Sequence, residues 1–126
     1  MNAELPEFDF KVPDGYRWLS ERGLVSFEPN GPLQPWHYFP RQDTFEPTKR
    51  WPRAGSRTRL VAFAKRQDSD DMACFEVSGD RVTQIVMIHG WTSEGFEVTG
   101  TFPDFWAWVR GVIDDVSEWV SLSSNS

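Results

Sequence analysis

Leu60 to Ala64 is an unbroken apolar run of strand length, and it is followed at a short distance by a second pattern. Ala73, Phe75 and Val77 alternate with Cys74, Glu76 and Ser78, as the side chains of a half-buried strand do. Gln67, Asp68, Ser69, Asp70 and Asp71 separate the two runs, and Asp and Ser favour turns because their side chains bond nearby backbone amides. Residues 59–77 therefore predict a β-hairpin with an acidic tip. Ser78-Gly79-Asp80 is a second turn signal, and Val82 to His89 is a third strand. Three consecutive strands with short turns make an antiparallel meander. Phe96-Glu97-Val98 adds a fourth strand, ended by Gly100.

Toward the C-terminus the period changes. Phe105, Trp108, Val109, Val112, Ile113, Val116, Trp119 and Val120 recur at three- and four-residue spacing, which predicts an amphipathic helix of about four to five turns. Thr101 is the expected N-cap, with Asp104 completing a variant capping box and Pro103 in the first turn. Arg110, Asp114, Asp115 and Glu118 fall on the polar side, and 121–126 is a polar tail expected to fray. Near the N-terminus, Pro13-Asp14 opens a short helix over Tyr16 to Arg22, closed by Gly23, with Tyr16 and Leu19 on its buried face. Residues 1–12 read as an extended arm anchored by Phe8 and Phe10. Between 24 and 58, prolines recur too closely for a long element. Leu24 to Phe27 is a candidate strand, Trp36 to Phe39 a candidate edge strand, and Thr48 to Arg59 a basic loop pinned by Trp36, Phe39, Phe45 and Trp51. The predicted fold is a single α+β domain over 1–126. It has a mainly antiparallel sheet, with its meander at about 59–98, a short N-terminal helix and a long C-terminal helix.

The meander carries the first functional inference. Its alternating directions bring the acidic tip and the stretch His89-Gly90-Trp91-Thr92-Ser93-Glu94-Gly95 to the same end of the sheet. Loops carried by a rigid sheet are common recognition surfaces. Asp68, Asp70, Asp71, His89, Trp91 and Glu94 are therefore the candidate partner-binding residues.

Composition sharpens this picture. The 126 residues are enough for one domain with its own core, and seven Trp among them leave some indole for the surface, where Trp is enriched at binding hot spots. The net charge of −6 is unevenly spread: residues 41–66 hold eight Lys/Arg against two acids, so the remainder is strongly acidic. An acidic body favours cationic partners and disfavours nucleic acid. The basic segment is expected to pair with that body. The lone Cys74 cannot form an internal disulfide and fits a reducing cytoplasm. The N-terminal residues lack the pattern of a signal peptide, and no apolar run approaches the ~20 residues of a membrane span.

The chemistry-bearing residues offer less. Asp68-x-Asp70-Asp71 suggests a calcium loop, but Met72, Ala73 and Gly79 stand where that loop needs a ligand, a glycine and a glutamate. With His37 and His89 as the only imidazoles, no zinc set is apparent, and no metal or cofactor is expected. A catalytic pair of His89 with Asp70 or Asp71 is allowed by the geometry, yet nothing names a nucleophile, and Ser93 has no nucleophile-elbow context.

The stretch Leu60-Val61-Ala62-Phe63-Ala64-Lys65-Arg66-Gln67-Asp68-x-Asp70-Asp71-x-Ala73-Cys74-Phe75 resembles the core of the SUKH superfamily, typed by yeast cell-wall-synthesis regulators and bacterial immunity proteins. Thr101-Phe102-Pro103-Asp104-Phe105 is similar to that family's "S/T-F-x-x-F" start to its last helix. Pro13-Asp14-Gly15-Tyr16 is similar to its early "Pro-x-x-Tyr" helix, without the usual Gly-rich turn after it. The resemblance covers about half the chain well and the first 58 residues loosely. It implies an α+β domain and, for bacterial members, neutralisation of a secreted toxin by direct binding. The expectation is thus a non-enzymatic, cytoplasmic immunity protein whose partner is a basic toxin domain. A regulatory interaction module of the same fold is the alternative, and a hydrolase using His89 and a carboxylate is the third reading.

Overall fold

A computed structural model describes residues 8–29, 31–39, 44, 46, 47, 59–92 and 95–124. Their elements in chain order are helix α1 (Asp14–Glu21), strands β1 (Trp36–Tyr38), β2 (Arg59–Arg66), β3 (Asp71–Ser78), β4 (Arg81–Thr92) and β5 (Gly95–Phe102), and helix α2 (Phe105–Ser124). The five strands form one antiparallel sheet in the order β1-β2-β3-β4-β5, so each strand pairs with its neighbour in sequence. The α+β class, the meander and both flanking helices agree with the sequence pattern.

The core on the helix side of the sheet is aromatic. The register of β2 against β3 shifts between Ala62 and Ala64, and at this bulge Phe63 comes to lie flat on Phe75, with centroids 4.0 Å apart and planes within 9°. Tyr16 of α1 presents its edge to both rings, and Trp108 of α2 meets Phe63 at 5.0 Å and 72°. Leu19, Phe105, Val112 and Ile85 complete this buried cluster. Phe8 and Phe10 anchor the N-terminal arm as expected, since both pack on Phe75, and Lys11 bonds the Asp80 carbonyl beside the start of β4. The opposite face holds a second buried cluster of Leu60, Ala62, Met72, Cys74, Val86, Ile88 and Phe96. Met72 to Phe75 of β3 are therefore buried on both faces, and the half-buried alternation holds only from Glu76 to Ser78.

Several boundaries differ from the sequence reading. Helix α1 starts two residues earlier, at Asp14 directly after Pro13, and Gly23 beyond its end takes a positive φ of 69°. Leu24 to Phe27 is not a strand; it is irregular chain in which the Ser26 carbonyl accepts a bond from the Tyr38 amide. Strand β4 continues past His89 to Thr92 because β5 pairs with it across a bulge. Gly100 does not end β5; it sits opposite Met87, and the strand reaches Phe102. The cap of α2 is Asp104, whose carboxylate accepts the Ala107 amide at 2.8 Å, so neither Thr101 nor a helical Pro103 starts the helix. Helix α2 runs through Ser124 and so includes most of the expected frayed tail. Its apolar stripe is also wider than its contact with the sheet: Ile113 and Val120 are exposed. Phe45, Trp51 and the loop 48–58 lie outside the described residues. Arg59, which ends that basic stretch, pairs at 2.8 Å with Asp9 of the acidic remainder, as the charge argument expects, and also with Glu46 of its own segment.

Two buried tyrosines should respond oppositely to loss of their hydroxyls. Tyr38 donates to the Tyr16 carbonyl at 3.1 Å, whereas the Tyr16 hydroxyl is buried without a partner among the described residues. An unmade bond at a buried hydroxyl costs about 1–3 kcal/mol, and a made one contributes about 1 kcal/mol. Tyr38→Phe should therefore lower the free energy of unfolding in urea by about 1 kcal/mol, while Tyr16→Phe should leave it unchanged or raise it. Equal losses in the two variants would contradict these assignments.

Candidate functional site

The end of the sheet where the β2–β3 turn meets the end of β4 is ordered from the backbone outward. The Lys65 ammonium donates to the Arg66 and Ser69 carbonyls at 3.0 and 2.7 Å, and the Ser69 hydroxyl accepts the Asp71 amide at 3.2 Å. The Gly90 amide donates to the Asp70 carbonyl at 3.2 Å, which docks the tip onto β4. A Cβ at Gly90 would meet the Met72 methyl at 2.5 Å, the flexible end of that side chain, and the Asp70 carbonyl at an ordinary 3.9 Å.

On this frame the three carboxylates of the tip take different roles. Asp71 lies opposite His89 in the β3–β4 register, and His89 lies opposite Glu97 in the β4–β5 register. Residues directly opposite share a face of the sheet, so a carboxylate, an imidazole and a carboxylate form a row across three strands. The His89 Nδ1–H donates to Asp71 at 2.9 Å. That bond, with the charges of Asp71, Asp70 and Glu97, raises the His89 pKa above the ordinary 6.5. Asp68 is bound in a bidentate pair by Arg66, at 2.9 and 3.0 Å, which lowers its pKa and offsets its charge. Asp70 is exposed, and its carboxylate has no ion pair among the described residues.

The expected gathering is thus partly met. Asp68, Asp70, Asp71 and His89 come together, Trp91 lies in β4 two residues beyond His89, and Glu94 is outside the described residues. The tip is less acidic than its sequence, because Lys65 and Arg66 reach into it.

Sequence reasoning missed the residue that ties this end to the helix layer. Asp115, assigned to the wet side of α2, accepts the Trp36 indole N–H at 2.8 Å and lies 3.7 Å from the Arg66 guanidinium. Trp36 and Arg66 are themselves cross-strand partners, so one carboxylate joins β1, β2 and α2. The only local signal was an acid at the border of the apolar stripe. Glu97 was read simply as part of a strand.

Other chemistry is limited. His37 is buried, its Nδ1–H bonds the Tyr38 carbonyl at 3.0 Å, and burial lowers its pKa. Burial pushes the Cys74 thiol up, so it stays protonated and a poor nucleophile. Among the described residues no group of three or more His, Cys, Asp or Glu side chains could hold a metal ion, and no helix is long and apolar enough to cross a membrane. No family model, curated protein or solved structure matches the chain.

The two imidazoles should titrate on opposite sides of 6.5 in an NMR pH titration of the folded protein. For His89, whose folded pKa is raised, the linked stability is fully present below the unfolded pKa and is lost as pH rises through the folded value. For His37, whose folded pKa is lowered, it is present above the unfolded pKa and is lost as pH falls through the folded value. Asp71→Asn should bring His89 back toward 6.5 and leave His37 in place. An unmoved His89 in that variant would show that the Asp71 bond does not set its proton affinity.

Proposed function

We propose that this chain is a non-enzymatic binding protein of the toxin-immunity kind, which neutralises a basic toxin domain by occluding it. The observation that carries the reading is the Asp71–His89–Glu97 row beside the exposed Asp70 at the same tip. Carboxylates held on a rigid frame form charge-assisted hydrogen bonds to Arg and Lys with little loss of side-chain entropy. The overall charge of −6 adds long-range steering of a cationic partner. The similarity of 60–75 to the SUKH core supplies the immunity class and, with it, a bacterial and cytoplasmic setting. A regulatory module binding a cellular protein would use the same surface and differ only in its partner.

The His89–Asp71 bond also has the form of a general base and its orienting carboxylate, which favours a hydrolase as the second reading. Among the described residues no Ser, Thr or Cys side chain is hydrogen-bonded to His89 as a nucleophile would be, and Ser93 lies outside them.

Charge reversal at the tip separates these readings. Asp70→Lys with Asp71→Lys should slow association with the cognate partner by roughly tenfold or more and flatten its salt dependence. His89→Ala should change affinity without abolishing any catalytic turnover. Unchanged association kinetics in the double variant would remove this surface from the account, and loss of a measured hydrolysis in His89→Ala would favour the enzyme.

A further inference from the structure

Beside the tip, a cleft of about 450 Å³ opens between β5 and α2. Its size lies within the range of sites that hold a small ligand or one long side chain. Met87 and Phe102, both half-buried, give it an apolar floor, and Asp71, Asp114 and Asp115 bring carboxylates from β3 and α2. Two glycines shape it. Gly111 lets α2 approach β5, since a Cβ there would meet the Phe102 ring at 3.0 Å. Gly100 faces free space, with nothing within 4 Å of a Cβ built on it.

The cleft already receives one cation of the chain itself. The Arg66 guanidinium forms part of its wall, bound by Asp68 and 3.7 Å from Asp115. One guanidinium against three lining carboxylates leaves the cleft itself net negative. Arg66 holds its proton more tightly than usual here, mainly through its bond to Asp68 and further through the charges of Asp115 and Asp71. An apolar floor under a carboxylate rim suits an alkyl stem ending in a positive charge.

We infer that this cleft receives a lysine or arginine side chain of the protein partner, its stem on Met87 and Phe102 and its cation among Asp71, Asp114 and Asp115. The inference rests on the reading of the chain as a binder of a basic protein and names the part of that partner held most closely. The tip would steer the partner by charge, and the cleft would fix its register by inserting one side chain.

The test needs no partner. N-acetyl-arginine methylamide is titrated into the folded protein and followed by NMR through the Trp36 indole N–H, which reports on Asp115, and the amides of 99–102 and 111–115. Saturable shifts with a dissociation constant of about 1–10 mM are expected, weakening as salt is added. The neutral isostere N-acetyl-citrulline methylamide should give none. Gly100→Met, which fills the cleft from a position with open space, should weaken the probe at least about tenfold, and Asp114→Asn several-fold. Amide dispersion confirms that each variant is folded. No saturable shift, equal binding of the citrulline probe, or undiminished binding in folded Gly100→Met would each overturn the inference. Asp70→Lys should leave probe binding within about threefold, since Asp70 does not line the cleft. If the probe fails while the partner still discriminates against Asp70→Lys, the cleft alone is wrong. If the probe binds but the partner ignores Asp70→Lys, the tip alone is wrong.

Discussion

The stacked rings of Phe63 and Phe75 are the contact on which the rest of this structure depends. They sit at the bulge between β2 and β3, and both helices reach the sheet through them, α1 by Tyr16 and α2 by Trp108 and Phe105. Aromatic rings bury large areas and hold preferred angles to one another, so a small domain can align two helices over a sheet with few side chains. The cross-strand order matters equally. Each strand pairs with its sequence neighbour, so the β2–β3 turn and the end of β4 meet without any long crossover.

The functional end inherits its geometry from this core. Trp36 packs edge-on against Trp108 at 5.7 Å and donates to Asp115, about two turns further along α2. Asp115 in turn faces Arg66, which holds Asp68. A chain of contacts therefore runs from the aromatic core to the tip. It leaves Asp70, Asp71 and Glu97 as the carboxylates available at the rim, with His89 between the last two. Charge here is partly cancelled and partly directed, which suits recognition of a particular basic surface better than a uniformly acidic patch would.

Much of the fold was legible because it is local. Apolar alternation, the turn at Gly79 and the three- and four-residue repeat of α2 are read from neighbours in sequence. What escaped is set by distance or by context. Gly100 looks like a terminator, but a half-buried position opposite Met87, with free space around it, tolerates glycine in a strand. Asp104 rather than Thr101 caps α2 because β5 continues through Thr101 and Phe102, which only its pairing with β4 decides. Ile113 and Val120 carry the right period but project past the sheet. At the site, the nearness of His89 to Asp70 or Asp71 followed from strand direction, and the β3–β4 register decides for Asp71. Asp115 did not, because its partner Trp36 is 79 residues away and an acid at the border of an apolar stripe does not name such a partner. Asp68 counted as free charge until the Arg66 side chain was placed beside it.

The most direct measurement of the central claim is affinity capture by the tagged protein from a lysate of its own source, eluted by a salt gradient, with each retained protein tested for toxicity alone and in the presence of the chain. The account predicts a strongly basic protein that is held at low salt, is shed at high salt, and loses its toxicity when the chain is added. Retention of a partner that is acidic, indifferent to salt, or equally toxic with the chain bound would contradict it.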